Sequence, residues 1–432
     1  MVSVGQENTR IGFIDDGSER SGFLAATYEF DEVGVRLKIP YLPEDDRGRW
    51  WSDDLFVVAT DGATTSVELP FSLDYVDSQG SVGLIDCHAG GFRSRLGVAG
   101  VGTVHALYAV EDAVEAKNYS KPHGLRSQIE GLAYWLGVSA LKTVVTYKRD
   151  PKTSEIVARG ATATTSMEDV EDLPLARAIN LKAIAYASNR GMSSPEVTYR
   201  SHVYLETSSV VARGWSEHVD LHTAMRNLLR VASWKSIHFQ AHHAMSAKES
   251  FVLAGETTPR WLLVRTARTG IAEPTWTSLD RFLFTYADVG RVGVSRWLKI
   301  VKDYERGVRP LVHLLDLKDA TIDAHMAQLG IAVEAIGYQS LIEIGVAPGA
   351  ANRKSVEQRI DHLLMEVDGA LTFPTETFAK DFADSYNSVK HANREEISPA
   401  TKQDHIRQGV QMLRAWVAIK LGVKPAAVKA RW

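Results

Sequence analysis

A change of period part-way along the chain limits its fold more than any other feature. Through roughly the first 270 residues, apolar positions alternate with polar or small ones, as in Val33-Gly-Val35-Arg-Leu37-Lys-Ile39-Pro and Ser66-Val67-Glu-Leu69-Pro-Phe71-Ser-Leu73-Asp-Tyr75. A repeat of two sends successive side chains to opposite faces of a strand. From about Val294 the apolar spacing becomes three and four, the repeat of a helix with one buried side. A chain of 432 residues exceeds the size at which one core keeps growing. The expected architecture is therefore α+β and multidomain. Residues 1–305 should form a β-rich, sandwich-like region with helical inserts, divisible near 120–145, and residues 311–432 an all-helical bundle of four to five helices.

In the β-rich part, Gly80, Gly83, Gly90, Gly91, Gly97, Gly100 and Gly102 read as punctuation between antiparallel strands joined by tight turns. They form neither GxxxxGK[ST] nor GxGxxG leading into a helix, so no phosphate-cradling loop is expected. Strand patterns return at Lys142-Thr-Val-Val-Thr-Tyr-Lys and Glu196-Val-Thr-Tyr-Arg-Ser-His-Val-Tyr-Leu-Glu-Thr. A helix lies between the second of these and Gly270: Ser216 can cap it, and Val219, Met225, Leu228, Leu229 and Val231 give it a buried side. His238, His242 and His243 follow. Alternation divides them between two faces of a strand, so core or surface roles are expected rather than a metal site. The tryptophans Trp50, Trp51, Trp215, Trp234, Trp261 and Trp276 are expected to pack rather than to bind a ligand.

Composition narrows the classes of function. A net charge of -4 gives no global attraction to nucleic acid, so any RNA contact must rest on a local patch. One cysteine, Cys87, excludes an internal disulfide and any multi-cysteine zinc site, which fits a reducing compartment. The opening MVSVGQENTR lacks a basic n-region followed by an apolar run, and no stretch of about 18 apolar residues occurs. A cytoplasmic, unanchored protein without cofactor or metal is expected.

The helical part carries clear start and stop signals. Trp297, Leu298, Val301 and Tyr304 share one side of a helix, and Arg306-Gly-Val-Arg-Pro310 should break it. Helices are then expected from Thr321 to Ile344, stopped by Gly345-Val-Ala-Pro348, from Ser355 to Gly369, and from Thr375 to about Arg394. A last one opens at Ser398-Pro399, is spaced by Ile406, Val410, Leu413 and Val417, and ends at Gly422.

The third of these expected helices, Thr375 to about Arg394, carries the chemistry. At about 100° per residue Phe378, Phe382 and Val389 share a face, while Asn387, Lys390, His391 and Arg394 gather on the other. An imidazole, an amide and two cations together can bind a phosphodiester, and an imidazole can move a proton near neutral pH. A solvated helix face is the plain alternative.

Asn387 and His391 stand in the register of the polar residue and the histidine of the HEPN motif, and residues from about Leu311 to Trp432 resemble a HEPN domain of the ApeA-like kind, found in prokaryotic anti-phage defence ribonucleases. Tyr386 stands where that motif has an arginine, so the resemblance leaves the phosphate-holding charge to Lys390 and Arg394, with Arg359 as a further candidate. Gly22-Phe-Leu-Ala, Val35-Arg-Leu37-Lys-Ile39 and Ile129-Glu-Gly-Leu-Ala-Tyr-Trp135-Leu136-Gly137 likewise resemble an ApeA-type N-terminal region.

The resemblance implies a metal-independent endoribonuclease cleaving tRNA or other cellular RNA by attack of the 2′-hydroxyl. His391 would carry the proton, Asn387 would orient it or bind phosphate, and two copies would meet as a homodimer. The β-rich part would respond to a phage-derived trigger. The other reading from the same resemblance is a non-catalytic HEPN protein serving dimerisation or RNA binding. A sugar-binding sandwich with a helical oligomerisation tail is a third.

Overall fold

The computed structural model describes residues 8–16, 24–31, 33–42, 45–52, 68–95, 98–190, 197–253, 255–267, 269, 276 and 280–432. Gly22, Gly97, Gly270 and the start of the second expected strand at residues 66 and 67 lie outside them. Among the described residues no helix is long and apolar enough to cross a membrane.

Six antiparallel strands close on themselves. These are β1 (Asn8–Asp15), β2 (Leu24–Asp31), β3 (Gly34–Tyr41), β4 (Ser72–Asp77), β5 (Gly80–Arg95) and β6 (Ala99–Glu111), with the short α1 (Arg49–Ser52) between β3 and β4. The order β6-β3-β2-β1-β4-β5 is completed by pairing of β5 with β6, which removes both edges and leaves a barrel. The alternation read from the sequence is the inside-outside pattern of this ring: Val35, Leu37 and Ile39 of β3 point inward with Tyr28, Tyr75, Leu84 and Val104.

Most of the glycines expected in turns lie inside β5 and β6, which run on through them. They make room instead. A Cβ on Gly102 would come within 2.2 Å of the Trp51 ring, and one on Gly100 within 2.2 Å of Tyr41. Without those side chains α1 can lay Trp51 on β6 and donate its indole N–H to Thr103 O at 2.8 Å. Gly80, at φ +138°, does serve a turn.

Strand β6 also belongs to an open wing. From it the sheet continues through β14 (Glu256–Arg265), β13 (Phe239–Leu253), β7 (Gly124–Ile129), β12 (Thr198–Ser208), β11 (Lys182–Arg190) and β10 (Leu173–Pro174). The helical insert at Ile129–Gly137 is the single turn α2 (Leu132–Leu136), bracketed by Gly131 and Gly137 in left-handed conformation. The expected strand at Lys142 forms with its successor a separate hairpin of β8 (Leu141–Arg149) and β9 (Ile156–Met167). Helix α3 (Trp215–Ser233) covers one face of the wing and buries Met225, Leu228, Leu229 and Val231. Its cap is Gly214 rather than Ser216, because the Glu217 carboxylate reaches back to accept from Gly214 N at 3.1 Å.

The remaining helices are α4 (Tyr286–Asp303), α5 (Glu305–His313), α6 (Ile322–Glu343), α7 (Pro348–Asn352), α8 (Val356–Glu366), α9 (Phe378–Lys390), α10 (Pro399–Lys420) and α11 (Pro425–Lys429). The expected break at Arg306–Pro310 falls instead at Tyr304, and α5 runs on through Pro310. Gly307 sits inside that helix because Ile336 of α6 comes close: a Cβ there would lie 2.4 Å from it. Thr321, Ser355 and Ser398 cap α6, α8 and α10 through their side-chain oxygens. Helices α6, α8, α9 and α10 pack together around Leu329, Val333, Ile360, Phe382, Leu413 and Trp416. The same continuous core includes Trp135, Leu205 and Phe239 of the wing and Met225 of α3, so apolar packing runs unbroken from wing to bundle.

Candidate functional site

Helix α9 is built as the sequence implies on its buried side: Phe378 and Phe382 are buried and Val389 is packed against the core. Its far end differs. The helix stops at Lys390, and His391 is extended at φ -129°, ψ 112°. Because α9 and α10 lie antiparallel, with Ser385 Oγ and His405 Nδ1 2.7 Å apart, the chain must reverse between His391 and Ser398. Ser398 precedes Pro399, which excludes a helical approach. The His391 backbone N–H still donates to Asn387 O at 2.9 Å, and Arg394 N to His391 O at 3.1 Å. Asn387 is therefore half-buried on the last helical turn, while His391 and Arg394 stand exposed on a turn beyond it. The structure brings the four residues to one edge, in a different geometry from a helical stripe.

Tyr386 explains what happens to the position of the missing arginine. It is buried, its ring lies over Gly330 of α6, and its hydroxyl donates to Glu334 Oε2 at 3.0 Å. A Cβ at Gly330 would come within 2.2 Å of that ring, so the glycine and the tyrosine are fitted to each other. Burial first, then the Glu334 charge, pushes the phenol well above its ordinary value, so it stays a neutral donor. Lys390 is drawn the same way: its Nζ lies 3.8 Å from Glu334 Oε2 and 5.3 Å from the Tyr386 ring centroid, yet its side chain is 47% exposed. Arg359 has another occupation, donating to the carbonyls of Glu334, Ala351 and Asn352 at 3.3 Å each.

The charges at this edge are mixed. Lys390 and Arg394 suit a helix C-terminus, where the carbonyl ends carry negative potential. Glu395 and Glu396 follow at once and are exposed. A phosphate approaching His391 would thus meet two exposed cations, two carboxylates and the negative end of a helix.

A second polar cluster escapes a reading by sequence distance. His218 and His222, four apart on α3, face Ser127 of β7, Thr207 of β12 and His242 of β13. Ser127 Oγ lies 2.5 Å from His222 Nδ1 and 2.6 Å from His242 Nδ1, and Thr207 Oγ1 lies 2.8 Å from His218 Nδ1 and 3.0 Å from His222 Nε2. All five residues are buried. Burial pushes His222 well below the ordinary histidine value, with the neighbouring His242 and His218 adding to the effect, and lowers His218 too. The signal was present in the i, i+4 histidines on the apolar side of α3, but their partners are distant in sequence. His243 faces away from this cluster, with its ring edge-on to Tyr204, as alternation requires. Among the described residues no group of three or more His, Cys, Asp or Glu could hold a metal ion.

Residues 38–298 match the family model for ApeA N-terminal domain 1. The chain belongs to that family. In this ApeA-family chain the matched stretch runs from within β3 to within α4, taking in most of the barrel, the wing and the histidine cluster, and the α9 edge lies beyond it. No curated protein and no solved structure matches the chain.

Proposed function

We propose that this ApeA-family chain is an anti-phage defence protein whose α9 edge is a metal-independent RNA-cleaving site of the HEPN kind. The observation that carries this reading is His391: an exposed imidazole beside Asn387, with Lys390 and Arg394 on the same edge. Attack of a 2′-hydroxyl on the adjacent phosphate needs a base for that proton, an acid for the departing 5′-oxygen and positive charge on the phosphorane. His391 takes the first proton, His391 of a second copy in a homodimer supplies the other, and Asn387 donates to a phosphate oxygen. Lys390 and Arg394, both able to leave the surface, replace the arginine that Tyr386 displaces. Family membership supports the defence role, in which the barrel and wing respond to a phage-derived trigger.

The test is cleavage of single-stranded RNA and tRNA by the full chain in EDTA, alongside His391→Ala. Activity that persists in chelator and vanishes in the variant is expected; equal activity of the two proteins would overturn the assignment.

Tyr386 favours a second reading. A buried phenol bonded to Glu334 occupies the position where the motif has its phosphate-binding cation. A non-catalytic chain that binds RNA or dimerises through this edge would show RNA binding lost in Lys390→Ala/Arg394→Ala with no cleavage by any form.

A further inference from the structure

On the opposite side of α10 from α9 lies a groove of about 1030 Å³, the size of a small-molecule site. The end of α3, the segment before α6, residues 372 and 373, and Trp432 form its other walls. Arg414 sits in its wall between two indoles, 5.6 Å from the Trp234 ring centroid and 5.1 Å from that of Trp432. Its Nε and Nη2 donate to Val231 O and Ala232 O at 2.8 Å, which fixes the guanidinium at the C-terminus of α3. Among the described residues Nη1 has no hydrogen bond and the side chain no carboxylate partner. Burial pushes this arginine down to about 10, so it remains charged near neutral pH, half-buried and with no carboxylate beside it.

Arg407 also lines the groove, but Asp404 accepts from it at 3.0 Å, which leaves one cation in excess. One cation without a carboxylate partner suits one phosphate rather than a run of them. The flat walls of Trp234, Trp432 and Phe373 suit an aromatic ring, and Gln403 and Gln408 supply paired donors and acceptors of the kind that read a base edge, while Gln411 Nε2 donates to Thr372 Oγ1 at 2.8 Å. We propose that this groove binds a single nucleotide, with its base against the indoles and its phosphate on Arg414 Nη1. The nucleotide is either free or the 5′-phosphorylated end of an RNA strand. The site does not share residues with the α9 edge and does not rest on the cleavage reading.

The experiment uses the full chain and follows tryptophan fluorescence and heat on titration with 5′-AMP, 5′-GMP, adenosine, inorganic phosphate, and a short RNA with and without a 5′-phosphate. Nucleotide or 5′-phosphorylated RNA is expected to bind at least about tenfold more tightly than adenosine or phosphate alone, the worth of one charge-assisted hydrogen bond. Arg414→Gln should abolish that difference. Because Arg414 also secures α3, the exposed Arg407→Glu provides a second variant: it places another carboxylate at the mouth and should weaken binding severalfold with unchanged melting. His391→Ala should bind as the parent does. A free nucleotide matching the RNA assigns a free ligand, and 5′-phosphorylated RNA binding tenfold better than both the nucleotide and unphosphorylated RNA assigns a strand end. Adenosine binding as well as AMP, no binding at millimolar concentration, or full affinity in Arg407→Glu overturns the proposal.

Discussion

The α3 cluster and the α9 edge both present histidine beside hydroxyl or amide groups, and their physics is opposite. Under α3, three imidazoles are buried, with ring nitrogens held by Ser127 and Thr207. Burial holds His218 and His222 below the ordinary histidine value, so they act as neutral packing elements with fixed hydrogen bonds. At the end of α9 a single imidazole is exposed and backbone-anchored, and it can meet a substrate. Proton transfer therefore requires access as well as the right residue type. Three histidines gathered in space can be less reactive than one alone.

The sharpest way to break this contrast is to remove one histidine from each place. His391→Ala should lower RNA cleavage by about 100- to 10,000-fold with melting unchanged, the usual loss for a positioned proton carrier. A variant melting several degrees lower would instead place His391 among the structural residues. His222→Ala should do the reverse. It leaves two buried hydroxyls short of a partner and opens a cavity, for about 3 kcal/mol of stability by denaturant unfolding, with cleavage per folded molecule unchanged.

Next in size is the pair of cations. Lys390→Ala and Arg394→Ala should each cost about tenfold in cleavage, roughly 1.4 kcal/mol, and little stability, because both are exposed and the Lys390 contact with Glu334 is a surface ion pair. Full activity in both variants would move the phosphate contact elsewhere.

Acid should separate the two regions again. The folded-state values of His222 and His218 are lowered by burial, so the unfolded chain binds more protons below the ordinary histidine value of 6.5. Their stabilising contribution is thus complete above that pH and lost as pH falls below it, by up to about 1.4 kcal/mol per pH unit for each histidine. His222→Gln should flatten the fall in melting temperature between pH 7 and 5. Smallest of all, Tyr386→Phe removes one hydroxyl bonded to Glu334, for about 1 kcal/mol of stability, with unchanged cleavage if the phenol only packs.

What could be read from the sequence was what is encoded locally. Thr321, Ser355 and Ser398-Pro399 mark helix starts through bonds to groups three residues away, and Gly345 ends α6 through its own positive φ. The inward side of β3 followed from its alternation. What remained hidden depends on contacts distant in sequence. Gly100 and Gly102 look like turn residues until Tyr41 and Trp51 are seen lying on them, and the pairings of β3 with β6 and of β1 with β4 that close the ring leave no mark in those strands. At the candidate site the residue types and the buried face of α9 were legible. The end of the helix at Lys390 was not, because it depends on the reversal into α10.

The continuous core also governs how a signal could travel. A hinge needs a thin join that can bend while the bodies on either side stay whole. Here Trp297 Nε1 donates to Ala224 O at 2.7 Å and Arg414 clamps the last turn of α3, so helices of the bundle are sewn to the helix that covers the wing. The two halves cannot swing apart without exposing apolar surface. Displacement of the wing would have to pass onward as shear, the helices sliding by fractions of a turn while staying packed. What would reach α9 is then a shift of tilt or depth rather than a swing.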